Sequence, residues 1–194
     1  MGQLSVGLGF VLWAAMVVTA TTNGVNLTDG LDGLAAGCSL TTAAAYTLLA
    51  YLAGHAALAE YLSMPGVTSS GDASVVMGAL VGSLLGFLWF NCFPAKVFLG
   101  DSGSLSIGGL IAISALICRQ ELLLPLIGGV FVIETASVIV QVFWFRRTGR
   151  RVLRCSPLHN HFVFRGDHET NIVVKFWIAS VVLVILGLAS LKLG

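Results

Sequence analysis

The stretch Ala73-Ser-Val-Val-Met-Gly-Ala-Leu-Val-Gly-Ser-Leu-Leu-Gly-Phe-Leu-Trp-Phe-Asn-Cys-Phe-Pro-Ala95 runs from Asp72 to Lys96 without a charge. A helix needs roughly 20 apolar residues to cross a hydrocarbon core of about 30 Å, so this run reads as a membrane span. Five further apolar runs cover residues 4–20, 34–59, 104–118, 122–145 and 176–191. Two of them, 104–118 and 176–191, are short. Beside the others they read as tilted or partly re-entrant spans, because lipid forbids exposed irregular backbone. Composition agrees, with 57% of the 194 residues hydrophobic and 10% charged, against about a quarter charged in an ordinary soluble domain. The expected fold is an all-α integral membrane protein with about six transmembrane helices, forming one transmembrane domain over residues 1–194.

Residues 1–3 carry no charge, and further spans follow the first. That run therefore reads as a span and not as a cleaved signal peptide. Gly78, Gly82, Gly86, Gly108 and Gly109 lie inside apolar runs, where small residues let helices approach closely. Cys38, Cys92, Cys118 and Cys155 form no Cys-x-x-Cys pair and read as free, buried thiols.

Net charge of +1 says little by itself, and no nucleic-acid partner is expected, but the basic residues are unevenly placed. Six spans put residues 21–33, 94–103 and 146–175 on one side, with Lys96, Arg146, Arg147, Arg150, Arg151, Arg154, Arg165 and Lys175 among or beside them. The bias of Lys and Arg toward the cytoplasm makes these three segments cytoplasmic loops. Every unusual polar motif sits on them, as a site for a soluble cytosolic substrate would require.

The first motif is Asn23-Gly-Val-Asn26-Leu-Thr-Asp29-Gly-Leu-Asp32-Gly33. Its carboxylates and amides could ligate a hard cation through oxygen, or could turn the chain and cap the next helix. The second is Phe98-Leu-Gly-Asp101-Ser-Gly-Ser104. Backbone amides at a helix start favour phosphate, and Asp101 could hold Mg²⁺ together with substrate phosphates or serve only as a cap; Lys96 could pair with phosphate or anchor the interface. The third segment opens with five arginines, a topology and anionic-lipid signal first, and reaches Ser156-Pro-Leu-His159-Asn-His161-Phe162. His159 and His161 could donate to phosphate oxygens or move protons, or be structural. Glu134 lies within the fifth run, and an ionisable group at membrane depth marks a site facing the bundle interior. Gln141, seven residues on, shares its helix face; polar glue between helices is the other reading of this pair.

Together, Asn-Gly-Val-Asn-Leu-Thr-Asp-Gly-Leu-Asp-Gly-Leu-Ala, Gly-Phe-Leu-Trp-Phe-Asn-Cys-Phe-Pro-Ala-Lys-Val-Phe-Leu-Gly-Asp-Ser-Gly-Ser-Leu, Gly-Gly-Val-Phe-Val-Ile-Glu-Thr and Ser-Pro-Leu-His-Asn-His-Phe resemble the phospho-N-acetylmuramoyl-pentapeptide transferases, within the polyprenyl-phosphate sugar-1-phosphate transferase superfamily. The resemblance covers essentially the whole chain. It implies a ten-helix transferase whose last six helices match the spans here. The implied reaction moves phospho-N-acetylmuramoyl-pentapeptide from its UDP carrier to undecaprenyl phosphate, giving lipid I and UMP for peptidoglycan, with Mg²⁺ required. The implied setting is the bacterial inner membrane, with membrane lipid around the protein and a homodimer left open. By motif, Asp101 and Asn26 resemble metal-site residues, Asp32 and Phe98 the uracil-recognising pair, and Asp29 a residue of the nucleoside pocket. Gln141, His159 and His161 resemble contacts around sugar and pyrophosphate, so that Asp101, His159 and His161 are the expected catalytic residues.

Two departures from that pattern stand out. The family has three consecutive histidines followed by an acidic residue, whereas Asn160 and Val163 stand here. The family's first four helices, with their paired aspartates, have no counterpart in these 194 residues, so the chain reads as a truncated or partial protein that would not transfer phospho-sugar alone. The alternatives are a related transferase using UDP-N-acetylglucosamine, disfavoured by the Pro-Leu-His-Asn-His-Phe loop, and a noncatalytic membrane remnant or transporter.

Overall fold

The computed structural model describes residues 7–192; the part of the first expected span at residues 4–6, and the uncharged residues 1–3, lie outside them. Among the described residues there are nine helices: α1 (Gly7–Thr28), α2 (Leu34–Gly54), α3 (Ala56–Tyr61), α4 (Ser70–Asn91), α5 (Gly100–Ile117), α6 (Leu124–Ile127), α7 (Gly129–Thr148), α8 (Leu158–Arg165) and α9 (Glu169–Ser190). Six of them, α1, α2, α4, α5, α7 and α9, are long and apolar enough to cross a membrane, and the protein is an all-α, multi-pass membrane protein.

Helix α2 is the axis of the bundle, packed against α4, α5, α9 and α1. Its buried positions are mostly small: Ala35, Ala36, Ser39, Thr42, Ala43, Ala45, Ala50 and Ala53. Apolar burial between helices gains little in lipid, so close van der Waals contact and interhelical hydrogen bonds carry the association. The Thr41 and Ser180 hydroxyls pair at 2.6 Å between α2 and α9, and Ser74 Oγ donates to the Thr47 carbonyl at 3.0 Å between α4 and α2. The outer faces carry Val75, Leu85, Trp89, Ile178 and Ile185, all exposed, as lipid-facing residues are.

Of the glycines expected at close crossings, Gly108 is one. A Cβ there would lie 2.6 Å from Thr22 Cα, so α5 meets the α1 backbone only because that atom is missing. Gly82 and Gly86 face open space, and their role as contact points is corrected. The thiol expectation is corrected in part as well: all four cysteines are free, but Cys92 is exposed and Cys155 only partly covered.

Several boundaries move. The expected loop over residues 21–33 is helical as far as Thr28, leaving a turn at 29–33. The polar residues there do not break α1, because Asn23 Nδ2 donates to Thr19 O and Thr28 Oγ1 to Gly24 O. Residues 100–103 form the first turn of α5, and residues 169–175 open α9. This lengthens both spans that looked short. Glu169 in the first turn of α9 is compatible with the positive end of the helix dipole. The run 34–59 breaks at His55, and the run 122–145 at Gly128.

Candidate functional site

The three motifs meet at one end of the bundle, where the ends of α1, α4 and α7 face the starts of α2, α5 and α9. Asn26, in the last turns of α1, donates through Nδ2 to Asp101 Oδ1 at 2.8 Å and to Ser104 Oγ at 3.0 Å. Ser104 donates in turn to Gly100 O at 2.9 Å. Asp101 is exposed and Asp29 half-buried. Burial pushes the Asp29 carboxyl above its ordinary range, the Gly100 amide opposes this, and the nearby Asp101 charge adds to it. The two carboxylates, close enough for the Asp101 charge to act on Asp29, offer hard oxygen donors, while the Asn26 amide turns its nitrogen toward Asp101 and orients it. Such donors fit Mg²⁺, which takes one or two carboxylates and completes its shell with water and phosphate oxygens. Among the described residues no group of three or more His, Cys, Asp or Glu gathers, so the histidines do not join these carboxylates.

Asp32 does a different job. Its Oδ2 accepts the Ala95 N–H at 2.9 Å, tying the α1–α2 turn to the α4–α5 segment. That segment is braced again by Asn91 Nδ2 donating to Val97 O at 2.8 Å and by the Lys96 N–H donating to Phe90 O at 2.8 Å. At its end stands Phe98, a ring 74% exposed. The braced segment thus holds an apolar ring out at this end of the bundle. Lys96 is exposed on the same segment.

The third segment is not a free loop. Gly149, with φ 68°, closes α7, and the chain then returns along that helix. Gln141 Oε1 accepts the N–H groups of Val152 at 3.1 Å and Leu153 at 2.9 Å, while its Nε2 donates to Leu153 O at 3.2 Å. Seven residues earlier, about 10 Å along the helix, Glu134 receives His159. The buried stripe expected on α7 is therefore the seam that holds the returning chain. Gln141 spends most of its hydrogen-bonding capacity on that backbone, leaving one amide hydrogen free. The arginines at 146, 147, 150, 151 and 154 stay exposed around it. His161 is half-buried, and its Nδ1 accepts the Arg154 N–H at 3.1 Å. His159 is buried, with Nδ1 against Glu134 Oε2 at 3.1 Å.

Sequence reasoning missed Trp177. Its Nε1–H donates to Gly33 O at 3.1 Å, and its indole fills the space a Cβ on Gly37 would take, so α9 locks the end of the first motif. In sequence, a tryptophan near the end of an apolar run looks like any interfacial aromatic. Its one signal is an indole N–H that needs an acceptor once buried.

The sequence pattern described as Glycosyl transferase family 4 matches residues 1–119. Two curated relatives, from Maridesulfovibrio salexigens and Solidesulfovibrio magneticus, are each named phospho-N-acetylmuramoyl-pentapeptide-transferase. Each is 50% identical over 188 residues, which is 96% of this chain and 52% of the relative. The chain spans about half the length of these relatives.

Proposed function

Because the chain belongs to glycosyl transferase family 4, we propose that it carries the nucleotide- and metal-facing part of an enzyme that transfers phospho-N-acetylmuramoyl-pentapeptide from UDP to undecaprenyl phosphate. In that reaction a phosphate oxygen of the lipid attacks the phosphorus joined to the sugar. The bond from that phosphorus to the bridging oxygen breaks, and the bridging oxygen leaves with UMP. The lipid keeps a pyrophosphate-linked sugar, and all phosphates are accounted for. The names of the relatives favour the muramoyl substrate over UDP-N-acetylglucosamine.

The observation that carries this reading is the joining of Asn26 to Asp101 beside the Asp29 carboxyl, at the bundle end that also presents Phe98. Asp101, with Asp29 and Asn26 beside it, would hold Mg²⁺, which supplies charge neutralisation at the pyrophosphate. Phe98 offers the uracil ring a stacking face, and the Asp32 oxygen not engaged by Ala95 offers an acceptor for the ring N–H. The exposed Lys96 and arginines give this end its positive field for a phosphorylated substrate. The same excess supports a cytoplasmic orientation for this end, in a protein of the bacterial inner membrane.

Equilibrium binding to the purified chain in detergent tests this. UDP-N-acetylmuramoyl-pentapeptide should bind in preference to cytidine and adenosine analogues, with Mg²⁺ increasing affinity. Phe98→Ala should weaken binding by about tenfold, in line with the loss of one base–aromatic stack. Indifference to the base and to Mg²⁺ would overturn the reading.

A further inference from the structure

Glu134 and His159 are 0% and 1% exposed. One carboxylate oxygen of Glu134 accepts the His159 backbone N–H at 3.1 Å, and the other meets Nδ1 at 3.1 Å. Nε2 is buried without a partner, and a Cβ on Gly30 would collide with it. The ring is thus gripped on one edge and aims its remaining nitrogen at the Asp29–Gly30 turn. Gly30 itself is exposed on its other face.

A carboxylate can only accept, so the contact to Nδ1 places a proton there. A second proton on Nε2 would leave a charged buried donor with no acceptor, which is rarer and costlier than an unfilled lone pair. His161 has the opposite arrangement. Its Nδ1 accepts the Arg154 N–H, so in the neutral ring the proton sits on Nε2.

We propose that Glu134 is a positioning residue: it fixes His159 in the Nδ1–H form, so that Nε2 faces the Asp29–Gly30 turn as an acceptor, while His161 presents a donor suited to phosphate oxygen. This deepens the transferase reading and rests on it for the identity of the ligand. His159 thus supports that turn from beneath, with Nε2 buried under Gly30. Glu134→Gln reverses the polarity. The amide oxygen still accepts the His159 backbone N–H, but the amide nitrogen now donates to Nδ1, and the ring proton moves to Nε2.

The test is nitrogen NMR of the ¹⁵N-histidine-labelled chain near neutral pH, with resonances assigned through His159→Gln and His161→Gln. His159 should be protonated at Nδ1 alone and His161 at Nε2. In Glu134→Gln only the His159 signature should switch. Protonation of His159 at Nε2 in the unaltered chain overturns the proposal even if the variant fails to fold, and so does an unchanged signature in a folded variant. For the ligand, Glu134→Gln should weaken UDP-N-acetylmuramoyl-pentapeptide and UMP alike, by about tenfold, because a donor on Nε2 disturbs the turn that carries Asp29. Unchanged affinity for both in a folded variant would reduce Glu134 to a structural role. Failure of the transferase reading would appear separately, as no binding of either nucleotide by a chain with the stated ring protonation.

Discussion

The Asn26 side-chain amide donates to Asp101 Oδ1 across 2.8 Å, although 75 residues separate the two. It joins the last turns of α1 to the first turn of α5, and it shares the same nitrogen with Ser104. Asp101 is exposed and has no packing to fix its rotamer, so this bond sets the direction in which its other oxygen points.

Asn26→Ala should therefore cost metal affinity even where Asp101 is intact. Loss of a group that orients a metal ligand weakens binding by roughly 10–100-fold, and Asp101→Asn should weaken it at least as much, since an amide lacks the charge that attracts Mg²⁺. Mg²⁺ titrations of sugar-nucleotide binding check both. Unchanged Mg²⁺ dependence in Asp101→Asn would leave Asp101 only a first-turn acid that suits the helix dipole.

Gly30→Ala should destabilise the protein, because the new Cβ meets His159 Nε2 and overpacking costs about 1–3 kcal/mol. Shortening the opposing ring in Gly30→Ala/His159→Ala should recover part of that loss. Thermal unfolding of the two single variants and the double variant gives the coupling directly, and strictly additive effects would mean that the two residues do not touch.

Asp29 has a carboxyl raised above its ordinary value of 3.8, first by burial and further by the Asp101 charge, against the Gly100 amide. In the folded protein its ionised form is therefore disfavoured. The stability it contributes is present below the unfolded value and is lost as pH rises through the folded one. Asp29→Asn should raise Tm at neutral pH, and the advantage should shrink as pH falls toward 3.8. Bound Mg²⁺ should abolish the advantage by stabilising the ionised unaltered carboxylate.

Native thiols report orientation. Cys92 is exposed and Cys155 partly so, whereas Cys38 and Cys118 are buried, and the two reachable thiols lie at the site end of the bundle. A membrane-impermeant maleimide should spare intact cells and label inverted membrane vesicles, with Cys92→Ser/Cys155→Ser removing the signal. Labelling of these thiols from outside intact cells would reverse the topology.

The six spans could be read from the sequence because hydropathy is local: a run such as 73–95 states by itself which solvent it needs. The aspartates at 29, 32 and 101 could be singled out for the same reason, each lying in a short, glycine-rich polar stretch between apolar runs. Element ends were less legible. At Thr28 and Glu169 the helices continue through polar residues whose side chains find partners within the fold or favour the helix end. The pairings needed the tertiary structure. Nothing local links Asn26 to Asp101, Asp32 to the Ala95 N–H, Glu134 to His159 or Trp177 to Gly33. Each of these groups has several chemically equivalent partners along the chain. Which one it meets depends on how the helices cross, and that is set at contacts such as Gly108 on Thr22, where the absence of one Cβ lets two backbones approach.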